Sequence, residues 1–175
     1  MKRRNQILVV GYSGEHCSDD VRGLAFEIGK EVAKHGAILM SGGLNGVMEA
    51  SCRGAKEENG QTVCIIPKDD MGQANKFCDI VIPTGIGFAR DFITAHSADA
   101  VIVVGGGVGT LIEVCVAYLD TKPIVALRGS GGTADKIADT YLDDRERVRI
   151  YGADNPHDAV EKAISLIRND KEKRI

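Results

Sequence analysis

The sequence predicts an α/β protein, a Rossmann-like doubly wound parallel sheet in a three-layer α/β/α arrangement, with residues 1–175 forming a single domain. Three observations predict it. Apolar runs of three to five residues recur along the chain, as strands buried on both faces require. Helical periodicity fills the intervals between them. Glycine, at 21 residues above average usage, gathers where strands would hand over to helices.

The apolar runs lie at residues 7–10, 37–40, 62–66, 80–82, 100–104 and 124–127. After the first, Val21, Leu24, Ala25, Ile28 and Val32 keep helical spacing. Ser18 is placed to cap that helix, Asp19 and Asp20 suit its positive end, and Gly36 can close it. A second helix is expected over about 45–59, with Asn45 as its cap, and a third over 88–96. Beyond Thr110 the apolar residues Leu111, Val114, Cys115, Tyr118 and Leu119 share one helical face. Residues 128–147 open with Gly129-Ser130-Gly131-Gly132 and continue with charges, predicting a mobile loop containing a short helix. The last helix starts at Asn155-Pro156, with proline in the first helical position.

A chain of 175 residues suffices for a continuous core, and 43% apolar with 27% charged residues is ordinary for a soluble globular protein. The net charge of −3 opposes a large nucleic-acid footprint, and 5% aromatics leave few rings for stacking bases. The five cysteines contain no C-x-x-C pair, so reduced structural thiols are expected, as in a reducing cytosol. The start Met1-Lys2-Arg3-Arg4 is basic, but the apolar run behind it ends at Val10. That is too short for a signal-peptide core, and no run of 18 apolar residues occurs. The expectation is a cytoplasmic protein without a membrane partner.

The stretch from Val101 to Glu113 carries the main functional signal. A buried strand, the turn Gly105-Gly106-Gly107-Val108-Gly109 and a helix opening at Thr110 make an anion site. Amides of a first helical turn lack intrahelical partners, and the helix dipole favours negative charge there. Phosphate is the commonest biological anion of that kind. The usual dinucleotide pattern fails, because the first strand is followed by Gly11-Tyr12-Ser13-Gly14 and the second ends in Ser41-Gly42. No glycine run precedes Lys-Ser or Lys-Thr, so neither hydride transfer nor P-loop chemistry is the expected function. His16, His35, His96 and His157 lack metal-ligand spacing, and no metal is expected.

A second glycine turn, Ser41-Gly42-Gly43-Leu44-Asn45-Gly46-Val47-Met48-Glu49, precedes the first in the chain. With Gly106-Gly107-Val108-Gly109-Thr110-Leu111-Ile112-Glu113 it resembles the signature of the LOG superfamily. That group contains nucleoside 5′-monophosphate phosphoribohydrolases, once described as lysine decarboxylases, and molybdenum-cofactor carrier proteins. The resemblance runs from Ile7 to Leu127 and is nearest to the carrier-like branch, related at fold level to a DNA-processing protein. It implies that the 105–110 turn, with the Thr110 hydroxyl, holds a phosphate, and that Arg90 and Glu113 form the catalytic pair of a hydrolase. Gly11, Ser13, Gly42 and Gly43, at the ends of neighbouring strands, complete the expected pocket. The ligand would be an AMP-like nucleotide or the molybdenum cofactor, with no cofactor required for turnover. The resemblance also implies a homodimer or tetramer in which the helices after Pro83 and Gly109 meet a twofold mate.

Three positions differ from the family's hydrolases. Gly105 stands where they carry proline, Ile112 where they carry a first acid, and Asp91 where a lysine usually follows the arginine. Two readings therefore stand, a phosphoribohydrolase and a non-catalytic carrier. Plainer roles are also open. Thr110-x-x-Glu113 is a capping-box pattern, Arg90 can be a solvated charge, Tyr12 can touch the ligand or not, and Glu49 by default serves the surface or an ion pair.

Overall fold

The computed structural model describes residues 3–173 of the chain. Met1 and Lys2 of the basic start, and the last two residues of the expected domain, lie outside the described residues. Seven strands form one all-parallel sheet: β1 (Gln6–Gly11), β2 (Ile38–Ser41), β3 (Thr62–Ile66), β4 (Ile80–Pro83), β5 (Ala100–Val104), β6 (Ile124–Leu127) and β7 (Ile150–Ala153). Their order across the sheet is β4-β3-β2-β1-β5-β6-β7. The chain thus winds outward from β1 in one direction, then returns to β5 and winds outward in the other. The helices are α1 (Asp19–Lys34), α2 (Val47–Glu57), α3 (Arg90–Ser97), α4 (Val108–Leu119), α5 (Gly132–Ile137) and α6 (Pro156–Lys173).

Alternation along the central strands builds two cores. Ile7 and Val9 of β1 and Ile102 of β5 pack under α1, α2 and α6. Leu8, Val10, Val101 and Val103 point the other way and pack with Val114, Ala117 and Tyr118 of α4. All four β1 residues are essentially inaccessible, and burying each such side chain stabilises the fold by roughly 1.5–3 kcal/mol. The Rossmann-like three-layer reading of the sequence is therefore correct. Ser18 caps α1, its hydroxyl accepting from the Val21 amide, and Gly36 follows the helix at φ 68°.

Four expectations need correction. Strand β7 was not foreseen; it pairs with β6 from Ile124↔Ile150 to Leu127↔Ala153 and closes one edge. Asn45 is not the cap of α2, since Gly46 holds that place and the Asn45 Oδ1 accepts from the Gly14 amide instead. The segment after β6 does contain the expected short helix, α5, but its first part is tied down where a mobile loop was expected. Ser130, Thr133 and Ala134 are buried, and α5 is bonded to the glycine turn after β5. Finally, Cys64 and Cys78 are joined in a disulfide, where reduced thiols were expected. Cys64 pairs with Val81 across the β3–β4 register, which brings the approach to β4, and Cys78 with it, alongside β3.

Candidate functional site

Because β1 and β5 are neighbours from which the chain winds in opposite directions, a crevice opens beyond their carboxyl ends. It is a cavity of about 400 Å³, within the range of small-molecule sites. Of the residues singled out from the sequence, Gly11, Ser13, Gly42, Arg90, Gly107, Val108, Gly109, Thr110 and Glu113 line it. Gly43, Gly105 and Gly106 do not; they shape the turns behind it.

The glycine turn after β5 is held from outside. The Gly105 amide donates to Ser130 Oγ at 2.8 Å, so it is not available to a ligand. The amides of Thr133 and Ala134 donate to the Gly106 and Gly105 carbonyls, and the Thr133 hydroxyl donates to the Gly107 carbonyl. With its carbonyls tied to α5, the turn delivers the chain into α4. The first helical bond runs from the Leu111 amide to the Gly107 carbonyl. The amides of Val108, Gly109 and Thr110 precede it and sit at the positive end of the helix, on the cavity wall. Gly106 is obligatory here, since its φ is 101° and a Cβ would stand 2.5 Å from Thr110 Oγ1.

The capping-box reading fails. Gly107 is the cap of α4, and the Thr110 side chain, inside the first turn, donates to the Gly11 carbonyl at 3.1 Å. Thr110 thereby ties the end of β1 to α4, and its proton is committed to that bond.

Across the cavity, Arg90 opens α3 with only 8% of its surface exposed, so the solvated-charge reading fails as well. Its Nε lies 3.3 Å from Asp91 Oδ1, and its Nη1 lies 3.8 Å from Glu113 Oε1. Neither contact has hydrogen-bond geometry, and the Nε is buried without a hydrogen-bond partner. Glu113 and Asp91 are also buried. Burial first, and the neighbouring Asp91 second, push the Glu113 carboxyl up to about 8 against the opposing pull of Arg90. Burial also raises Asp91, again opposed by Arg90. At neutral pH Glu113 is thus mostly a neutral acid, which lessens its repulsion of an incoming anion. Sequence reasoning noted Asp91 only as a departure from the family pattern. Its burial beside Arg90 follows from its place in the first turn of α3, against α4, and single-sequence reading carries no signal for that.

Met48 and Phe88 were not singled out as site residues and also line the cavity, as does Tyr12, whose contact with ligand the sequence left open. The Tyr12 ring fills the space above Gly105 and Gly132. Phe88 is 83% exposed at the mouth, beside the exposed Val108.

Residues 4–160 match the family model described as the SLOG cluster4 family. The chain belongs to this family. An uncharacterised protein of Archaeoglobus fulgidus is 44% identical over 124 residues, which are 70% of this chain and 80% of that protein. A cytokinin riboside 5′-monophosphate phosphoribohydrolase of Mycobacterium tuberculosis is 36% identical over 111 residues, 58% of this chain and 59% of its own length. Among solved structures, the molybdenum cofactor carrier protein of Chlamydomonas reinhardtii superposes with a TM-score of 0.81 at 33% identity. It covers 95% of this chain and 99% of the carrier. The SLOG cluster4 assignment agrees with the LOG resemblance drawn from the paired glycine turns, and the carrier-like branch with the nearly full-length match.

Among the described residues no helix is long and apolar enough to cross a membrane.

Proposed function

We propose that this SLOG cluster4 protein binds a phosphorylated nucleoside or a nucleotide-like cofactor, seating the phosphate on the amides of Val108, Gly109 and Thr110. One observation carries the reading. A buried guanidinium whose Nε, though near Asp91, has no hydrogen-bond partner lies across a cavity from a helix N-terminus at the sheet's switch point. A buried donor left unsatisfied costs about 1–3 kcal/mol, more when charged, and an anion hydrogen-bonded to it would offset that cost. AMP and the phosphorylated pterin of the molybdenum cofactor both offer such a group. The nearly complete overlap with a carrier protein supports the cofactor, and the phosphoribohydrolase relative supports the nucleotide. Mass spectrometry of small molecules that co-purify with the protein, followed by calorimetric titration of each, distinguishes them. Absence of any phosphorylated ligand in both measurements contradicts the proposal.

A second reading, hydrolysis of a nucleoside 5′-monophosphate to free base and ribose 5-phosphate, is favoured by the Glu113–Arg90 pair. Breaking the N-glycosidic bond places oxocarbenium character on the ribose. The ionised Glu113 carboxylate would stabilise that charge while water adds to the sugar carbon and the base leaves with a proton. Arg90 would hold the phosphate or the carboxylate. Since Glu113 titrates near 8, base release through the carboxylate rises with pH up to that value and then levels. Incubation with AMP across pH 6–9, with detection of free adenine, tests this; no adenine at any pH leaves the carrier reading.

The mouth of the cavity also suggests a homo-oligomer. Phe88, Phe92, Ile93, Val108 and Leu111 expose an apolar surface on α3, α4 and the turn before α3. A second copy of the chain covering this surface would narrow the opening.

A further inference from the structure

Three elements bring their sulfur atoms together beside the Gly42–Gly43 turn. Cys52 lies on α2, Cys64 on β3 and Cys78 just before β4, at separations of 12 and 14 residues that fit no short zinc motif. The Cys52 thiol stands 3.8 Å from Cys64 Sγ, Cys64 is bonded to Cys78, and all three sulfurs lie within 4.8 Å of one another. They form a triangle, with Cys52 to the side of the Cys64–Cys78 bond and not in line with it. Cys52 and Cys64 are inaccessible to solvent, whereas Cys78 is only partly buried. No role described above uses them.

We infer that Cys52, Cys64 and Cys78 are a three-thiolate zinc site that forms when the Cys64–Cys78 bond is reduced. Sulfurs held about 2.3 Å from a tetrahedral zinc ion stand about 3.8 Å apart. Cys52 and Cys64 already have that spacing. Release of Cys78 from its bond lets the third sulfur take the remaining corner of the face. The fourth ligand, a water or a small thiol, enters from the Cys78 side, the one of the three that solvent reaches. A soluble dithiol reduces the Cys64–Cys78 bond and closes to its own disulfide, leaving three protein thiols. Zinc carried by three small thiolates then exchanges its ligands. Three Zn–S bonds to the protein form, three to the carrier thiolates break, and each departing thiolate leaves with the proton of one cysteine.

The surroundings suit a metal-bound thiolate better than a bare one. Burial pushes the Cys52 thiol up to about 11, while hydrogen bonding by Ser41 and Asn75 pulls the other way. Zinc takes the place of the proton, so no isolated anion is left in the interior, and Ser41 and Asn75 orient the sulfur from outside the ligand set. Asn75 also ties the site to the glycine turn. It donates its backbone and side-chain amides to the Gly43 carbonyl and its side-chain amide to the Leu44 carbonyl as well. Cys64 itself packs against Gly43, where a Cβ would stand 2.9 Å from the Cys64 Cβ. Zinc thus crosslinks α2, β3 and the segment before β4 next to that turn whenever the disulfide is open.

The experiment uses the full chain, reduced under argon with dithiothreitol, freed of it by gel filtration and dialysed against zinc chloride with excess reduced glutathione. Elemental mass spectrometry is expected to find one zinc per chain, and none on an oxidised sample treated alike. Cobalt(II) chloride in place of zinc is expected to give the sulfur-to-cobalt absorption band of a tetrahedral thiolate site. Cys52→Ser keeps the Cys64–Cys78 pair and is expected to weaken zinc binding at least about a hundredfold in competition with a chromophoric chelator. Cys115→Ser, at the exposed free cysteine of α4, leaves zinc binding unchanged. No zinc or no cobalt–thiolate band on the reduced parent overturns the inference. So does equal zinc on the oxidised sample, or parental affinity in Cys52→Ser. The parent's zinc content and cobalt spectrum decide alone should the variant fail to fold.

Discussion

The α-carbon of Gly42 and the guanidinium of Arg90 are packed so closely that only hydrogen fits between them. A Cβ at residue 42 would stand 2.3 Å from Arg90 Nη1 and 2.7 Å from Met48 Sδ. The second glycine turn therefore serves Arg90 and need not touch the ligand. Gly42→Ala is expected to displace the arginine from the cavity. AMP affinity falls at least tenfold, about 1.4 kcal/mol, and overpacking costs about 1–3 kcal/mol of stability. Titration calorimetry and thermal melting check the pair of effects; unchanged affinity in a folded variant removes Arg90 from the binding site.

Glu113 makes stability depend on pH in a defined direction. Its folded-state value, about 8, lies above the ordinary 4.5, so between those values the folded protein holds a proton that the unfolded chain has released. Stability is full below pH 4.5 as far as this group is concerned, and is lost as pH rises through 8. Glu113→Gln keeps the shape and has no such titration. It is expected to melt above the parent at pH 8.5, by a difference on the order of a few kcal/mol, with the gap closing toward pH 5. Melting curves across this range test it, and a constant gap contradicts it. Should hydrolysis occur, the same variant loses base release.

Ser130 supports the glycine turn after β5 without touching the cavity. Its hydroxyl accepts from the Gly105 amide and donates to the Leu127 carbonyl. Ser130→Ala leaves a buried amide unpaired, at a cost of about 1–3 kcal/mol. Ligand affinity is expected to fall as the turn loosens. Hydrogen exchange at residues 105–107 reads the effect, and unaltered protection in Ser130→Ala would show that α5 alone holds the turn.

Much of this arrangement was legible in the sequence. Strands β1, β3, β5 and β6 announce themselves because both of their faces are buried, so their apolar runs are continuous. Strand β7 does not, because its Tyr151 is exposed and Gly152 interrupts the run. The strand, glycine turn and helix start that line the cavity were legible because a buried strand, glycines and a helical pattern follow one another within a dozen residues. The start of α4 was misplaced by two residues, since Thr110 looks like a cap until Gly107 is seen in that role. Contacts made across the sheet left no local trace. The Cys64–Cys78 bond depends on β3–β4 register, and the closeness of Asp91 to Glu113 depends on how α3 lies against α4.

The apolar mouth predicts association. Light scattering at micromolar concentration is expected to give a dimer or larger, and Phe92→Glu is expected to reduce it to the 18.7 kDa monomer. A monomeric parent protein contradicts the covered-mouth reading.

Crystals of the protein soaked with AMP test the phosphate seat most directly. The account predicts phosphate oxygens at hydrogen-bonding distance, about 2.7–3.2 Å, from the amides of Val108, Gly109 and Thr110, with the Arg90 guanidinium turned toward the ligand. An AMP molecule bound elsewhere, or a phosphate held only by side chains away from the start of α4, would contradict it.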